Sequence, residues 1–134
     1  MRRGGVLTLA LLLAALAGCG GGSADDGVRS AWESASHAAA GGNATTFCSL
    51  VTTAGQRTIT ARTKLSCEDA VRLLSSQLSA EDKAAIRAAA VTEVEVDGAN
   101  ATVHYDVTPA LAKVGFTGIT RLQKVSGRWL LRGI

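Results

Sequence analysis

The sequence predicts an α+β fold in which N-terminal helices pack on one face of a curved antiparallel sheet of about four strands. Apolar residues recur with the period of a helix up to about residue 90, and from residue 91 they alternate with polar residues as in strands. The chain has 134 residues, of which 47% are hydrophobic and only 4% aromatic. This length leaves room for one compact domain, and we expect its core to be aliphatic.

Residues 1–18 have the layout of an export signal. A basic start, Arg2 and Arg3, precedes an apolar run at residues 6–17, which is shorter than the roughly 20 residues that a membrane-spanning helix needs. The run leads into Leu16-Ala17-Gly18-Cys19, which resembles the bacterial lipobox, where a diacylglycerol is attached to the cysteine and the chain is cut before it. We expect a lipoprotein signal peptide and a lipid on Cys19. A plain secretory signal that contains Cys19 is the alternative.

The segment after the lipobox predicts a tether. Residues 20–27 contain no apolar residue larger than alanine, so a flexible coil with a root-mean-square span of roughly 15 Å is expected between Cys19 and a domain at residues 28–134. The lipid would then hold the protein at the extracytoplasmic face of the cell membrane.

The charge of the mature chain is close to balanced. Loss of Arg2 and Arg3 leaves 12 of the 14 basic residues against 11 acidic ones, a net charge of about +1. Such a charge gives no long-range attraction to DNA or to anionic lipid, and the few aromatic residues do not suit a base-stacking platform. We therefore expect no nucleic-acid partner.

Two cysteines remain once Cys19 is assigned to lipid. Cys48 and Cys67 form an even pair in an exported chain, which favours a disulfide that stabilises the fold by about 3 kcal/mol. A reactive thiol or a metal site is the alternative, but the chain has no Cys-x-x-Cys motif and His37 and His104 lie far apart in sequence. We expect no metal site and no cofactor.

The first half of the domain is predicted to be helical, in four segments. The first helix has an apolar stripe from Val28 to Ala39 and ends at Gly41-Gly42. Asn43 caps a second helix that ends near Gly55, and the polar residues 56–65 are expected to form a loop. Ser66 is the expected cap of a third helix, and Ser79-Ala80-Glu81-Asp82 is expected to start a fourth, with Ile86 on its inner side.

The second half is predicted to form two hairpins. Residues 91–96 and 101–107 alternate on either side of Asp97-Gly98, and residues 119–125 and 128–134 flank Ser126-Gly127, with Trp129 near Lys124. Between them, residues 109–118 are expected to form an irregular connection. Its Leu111, Val114 and Phe116 either cover the core or expose a patch for a partner, and core cover is favoured.

This order of elements carries a resemblance. Together with the lipobox, the cysteine pair and the closing Leu122-Gln123-Lys124-Val125-Ser126-Gly127-Arg128-Trp129, it resembles small lipoproteins of high-GC bacteria with a nuclear transport factor 2-like domain, over roughly residues 28–134. The resemblance implies a cystatin-like cone whose mouth lies between helices and sheet. Some members of that fold are isomerases or small-molecule binders and others are interaction domains, so the fold does not decide the function.

Four aromatic residues are candidates to line a ligand cavity: Trp32, Tyr105, Phe116 and Trp129. Ordinary core packing is the alternative for each of them. An isomerase-like enzyme would need a carboxylate in an apolar cavity, for which Asp106 and His104 are the candidates, but the alternation of the strand predicts both to be exposed.

No motif for nucleotide chemistry or triad hydrolysis occurs in the chain. We therefore expect a non-enzymatic, lipid-anchored domain that binds a small apolar ligand or a cell-envelope protein. The alternatives are an isomerase-like enzyme, with a carboxylate in the cone, and a pure protein-interaction scaffold, with Phe116 in an exposed patch.

Overall fold

A computed structural model describes residues 23–133 and has the predicted α+β class. Six helices and four strands follow one another in these bounds: α1 Ala24–Gly41, α2 Ala44–Ser49, α3 Thr53–Thr63, α4 Cys67–Ser76, α5 Ala80–Arg87, β1 Val91–Asp97, β2 Asn100–Tyr105, α6 Pro109–Lys113, β3 Ile119–Val125 and β4 Arg128–Gly133. The expected lipidation site, Cys19, and the signal at residues 1–18 lie outside the described residues.

The four strands form one antiparallel sheet in the order β1-β2-β3-β4, which contains the two predicted hairpins and pairs β2 with β3. Val94 pairs with Val103, and Lys124 pairs with Trp129. The Lys124 Nζ lies 5.8 Å from the centre of the Trp129 ring, within range of a cation–π contact. Alternate side chains of β2, β3 and β4 are buried, so one face of the sheet packs against the helices and the other is largely polar.

Helix α1 crosses the buried face of the sheet and contacts β1, β2 and β4. Its predicted stripe is correct, because Val28, Trp32 and Ala35 are at most 1% exposed. The helix begins earlier than expected. Ser23 caps it by accepting a hydrogen bond from the Asp26 N–H, so residues 24–27 are helical and not part of a flexible tether.

The prediction of a loop at residues 56–65 is wrong, because most of this segment belongs to α3. The Thr52 hydroxyl accepts a hydrogen bond from the Gly55 N–H and starts the helix, and Lys64 ends it in the left-handed conformation. Consequently α2 is shorter than predicted and ends at Ser49. Helix α3 lacks the apolar stripe from which a helix is recognised, since Gly55 is its one buried residue.

A short connecting segment, residues 50–52, joins the helices to the edge of the sheet. The Thr52 N–H donates to the Leu131 carbonyl at 2.8 Å, and the Leu131 N–H donates to the Leu50 carbonyl at 2.7 Å. The segment therefore covers part of the free edge of β4. Gly55 follows closely, and a Cβ at this position would lie 2.7 Å from Val51 Cγ1 and 3.2 Å from the Arg132 carbonyl oxygen. Glycine thus permits α3 to approach β4.

The predicted disulfide is present between Cys48 and Cys67 and links α2 to the first residue of α4. The predicted cap of α4 and the predicted start of α5 are also correct. Ser66 accepts from the Asp69 N–H, and Ser79 and Asp82 form a reciprocal capping box at the start of α5.

The connection between the hairpins covers the core. It contains the short helix α6, which was predicted as irregular chain and which Thr108 caps, with Pro109 in the first turn. Leu111, Val114 and Phe116 are 0%, 7% and 2% exposed. The favoured prediction for this segment is therefore confirmed, and Phe116 is not part of an exposed patch.

Within residues 23–133, no helix has both the length and the apolar character required to cross a membrane.

Candidate functional site

A cavity of about 270 Å³ lies between the helices and the β4 edge of the sheet. Its walls come from α3, α4, the end of α6 and the turn after it, and β4 contributes Leu131 and Gly133. The sequences of these elements are far apart, so the cavity exists only in the folded chain.

Helix α3 contributes one side of the cavity through a single stripe. The residues that line it recur at the spacing of one helical face and are Gly55, Thr58, Ile59, Arg62 and Thr63. Ile59 is the one large aliphatic side chain of the stripe, and it is half-buried. The inner face of α3 therefore borders a space that no side chain of the described residues fills, which explains why this helix buries so little.

The interior of the cavity is apolar. Buried side chains from the other elements complete it, among them Phe47, Val71, Val114 and Phe116. The two threonines of α3 add little polarity, because the Thr58 and Thr63 hydroxyls already donate to the carbonyls of Ala54 and Ile59 in their own helix. An apolar ligand would therefore meet few unsatisfied polar groups there.

The mouth of the cavity carries two cationic side chains, Arg62 of α3 and Lys113 of α6, both exposed. Among the described residues that line the cavity, none is acidic. Arg62 makes no ion pair with any residue between 23 and 133, whereas the Lys113 Nζ lies 3.0 Å from an Asp82 carboxylate oxygen.

Asp82 is itself held in place, because its carboxylate accepts from the Ser79 N–H in the capping box of α5. The hydrogen bond from Lys113, followed by that from the Ser79 backbone, lowers the pKa of Asp82 below its ordinary value of 3.8. The carboxylate is therefore ionised at neutral pH and balances the charge of Lys113, which leaves the charge of Arg62 as the net charge at the mouth.

The four aromatic residues predicted as cavity candidates occupy different places. Phe116 lines the cavity. Trp32 and Tyr105 pack behind it in the core, with ring centres 4.7 Å apart, and Phe116 lies 6.4 Å and 5.9 Å from them in edge-on contacts. Trp129 packs over Gly27 at the start of α1. Three of the four thus lie in the core packing and not on the cavity wall.

The core cluster has one unusual polar atom. Trp32 Nε1 is buried and has no hydrogen-bond partner among the described residues, while the Thr120 hydroxyl and the Tyr105 hydroxyl bond to each other at 3.2 Å. Neither feature opens onto the cavity wall, and both belong to the packed interior.

The catalytic candidates lie away from the cavity. Tyr105 faces the core, so its strand neighbour His104 faces the opposite side of the sheet, and Asp106 is exposed beyond the end of β2. The exposure predicted for Asp106 is correct, while the His104 side chain is 31% exposed.

One group of side chains on the outer sheet face could hold a metal ion, although the sequence predicts no such site. Single ligand atoms of Glu93, Glu95 and His104 all lie within 4.8 Å of one another. His104 Nε2 is 3.5 Å from a Glu95 carboxylate oxygen, so an ion pair forms whenever the imidazole is protonated. The hairpin register brings these residues together, because Glu93 lies opposite His104. Asp97 pairs with Asn100, so the turn is Gly98-Ala99 and not the predicted Asp97-Gly98.

The main element that sequence reasoning missed is the cationic mouth. Arg62 was assigned to a loop and Lys113 to an irregular connection, and the two residues are far apart in sequence. The cap at Thr52 was the available signal for α3.

Comparison with known proteins adds no relative: no protein family, curated protein or solved structure matches this chain.

Proposed function

We propose that this protein is a lipid-anchored extracytoplasmic binding protein that takes a small apolar ligand into the cavity between α3, α4 and β4. The cavity itself is the observation that carries the proposal. Its volume of about 270 Å³ lies near the lower end of ligand sites, which are typically about 300–1,000 Å³, so the ligand would be a single alkyl chain or a small ring system.

The predicted lipid anchor on Cys19 supports a binding role close to the membrane. The lipobox predicts a lipid on Cys19, and α1 begins at Ala24, so only a few residues would separate the lipid from the folded domain. A binding site so close to the membrane would meet apolar molecules that leave or enter the bilayer. A disulfide between Cys48 and Cys67 agrees with an exported, oxidising location.

The finer fold assignment also belongs to the proposal. Helices on one face of a four-stranded antiparallel sheet, with a cavity between the helices and one sheet edge, are compatible with a nuclear transport factor 2-like cone. In such a cone the binding site lies under the helices, and in this chain the cavity lies under α3 and α4.

We propose binding, and not isomerase chemistry, for this cavity. An isomerase of the kind considered above needs a general base within reach of the bound substrate. The described lining of the cavity has no carboxylate, and Asp106 and His104 lie away from it. The interaction-scaffold alternative relied on an exposed Phe116, which is 2% exposed.

An uncharged fluorescent probe tests the proposal. We expect N-phenyl-1-naphthylamine to increase its fluorescence on binding to the exported protein. The variant Leu74→Trp places a larger side chain on the cavity wall and should abolish the increase. Leu73→Trp is the matched control, because Leu73 is the preceding residue of α4, is 50% exposed and does not line the cavity.

Circular dichroism and thermal unfolding of both tryptophan variants separate loss of binding from loss of fold. Equal probe binding by the wild type, Leu74→Trp and Leu73→Trp would contradict the proposed site. No binding by any of them would contradict the proposed function.

A further inference from the structure

We infer that the ligand is a single-chain alkyl carboxylate, with its chain in the cavity and its head group at Arg62. This inference rests on the proposed function, and it adds the chemical class of the ligand. The charges at the mouth carry the inference, and the proposed function does not depend on those charges.

The charged residues that line the cavity have one sign. Arg62 and Lys113 are its cations, and none of the described residues on the wall is acidic. A neutral alkane or sterol would gain no electrostatic stabilisation from these two cations. An anionic head group would gain a charge-assisted contact while its chain remains in apolar surroundings.

Arg62 is the cation with capacity for a ligand. It makes no ion pair within the described part of the chain, and its guanidinium can bind a carboxylate through two parallel hydrogen bonds. Its position in the last turn of α3 also favours a cation, because the end of a helix carries partial negative charge. A cation on any side of the last turn would gain this stabilisation, whereas Arg62 lies on the stripe that faces the cavity.

The pair of Lys113 and Asp82 decides the charge of the head group. Asp82 balances Lys113, so the mouth has a net charge of one from Arg62. A carboxylate with one negative charge matches it. A phosphate monoester carries about −1.5 to −2 at pH 7 and would be left partly uncompensated. The volume allows one chain, which excludes a diacyl lipid.

Three ligands with the same chain test this assignment by isothermal titration calorimetry on the exported protein: decanoate, decanol and decyl phosphate. We expect decanoate to bind about tenfold more tightly than decanol, as one charge-assisted contact provides. Arg62→Gln should reduce this ratio to near one, because it weakens the binding of decanoate more than the binding of decanol. Arg62→Lys should retain part of the ratio, because the charge remains.

Arg57→Gln is the matched control, since Arg57 is exposed on the same helix and does not line the cavity. It should keep the tenfold ratio. Equal binding of decanoate and decanol to the wild type would overturn the carboxylate assignment while leaving the proposed function intact, because decanol still binds. Tighter binding of decyl phosphate than of decanoate would also overturn it. Failure of all three ligands and of N-phenyl-1-naphthylamine would instead reject the proposed function.

Discussion

The two sides of this domain are packed in different ways. Where α1 crosses the sheet, Trp32, Val103 and Leu122 are at most 1% exposed and the side chains fill the interior. Where α3 meets α4 and β4, one helix buries only Gly55 and its inner stripe borders a cavity. The two sides therefore have different roles, because the filled side supplies stability and the unfilled side leaves room for a ligand.

Matched leucine truncations should give the largest contrast between the two sides. Leu122→Ala removes a side chain that is 1% exposed, so we expect a loss of about 2–5 kcal/mol in the free energy of unfolding. Leu74→Ala lies on the wall of an existing cavity and is half-buried, so its loss should be about 1 kcal/mol. Urea unfolding measures both. Equal losses would mean that the two sides are packed alike.

The disulfide should stabilise the cavity side. It closes a loop over a sequence separation of 19 residues, so the double variant Cys48→Ala, Cys67→Ala should lose about 3 kcal/mol of unfolding free energy. Because α2 and α4 both line the cavity, the variant should also bind N-phenyl-1-naphthylamine more weakly at a temperature where it remains folded. A loss of stability with unchanged probe affinity would restrict the disulfide to a role in folding.

The pair of Asp82 and Lys113 should give a smaller, pH-dependent effect. Because the pKa of Asp82 is lowered in the fold, the ionised carboxylate stabilises the protein above its ordinary pKa of 3.8, and this contribution is lost as the pH falls through the folded value. Asp82→Asn should therefore be less stable than the wild type at neutral pH, and the gap should close in acid. Glu81→Gln, on the same turn of α5, is the control. A gap that does not vary with pH would contradict the account of this pair.

Much of the fold was predictable because its signals are local. The alternation around Asp97-Gly98, the cap at Ser66 and the helix start at Ser79 are each visible in a short stretch of sequence. The cysteine pair follows from the count of one residue type. Helix α3 was not predictable in the same way. Hydrophobic periodicity reports burial against a packed core, and the inner face of α3 faces a cavity, so that Thr58 and Arg62 stand where a core helix has leucine or valine.

The candidate site was less predictable for the same reason. Of the four aromatic residues that the sequence offered as cavity candidates, only Phe116 lies on the wall, while Trp32 and Tyr105 pack in the core. Phe47, which was not a candidate, also lines the cavity. Arg62 and Lys113 line one cavity only because the fold places α3 and the end of α6 on its wall. No spacing in the chain relates them.

The most direct test of the binding cavity is a methyl-resolved NMR titration of the exported protein with decanol. We expect concentration-dependent shifts at Ile59, Val71 and Leu74, which line the cavity, while the methyl groups of Val94 and Val125 stay unchanged. Shifts that spread over the sheet and spare α3 and α4 would contradict this expectation.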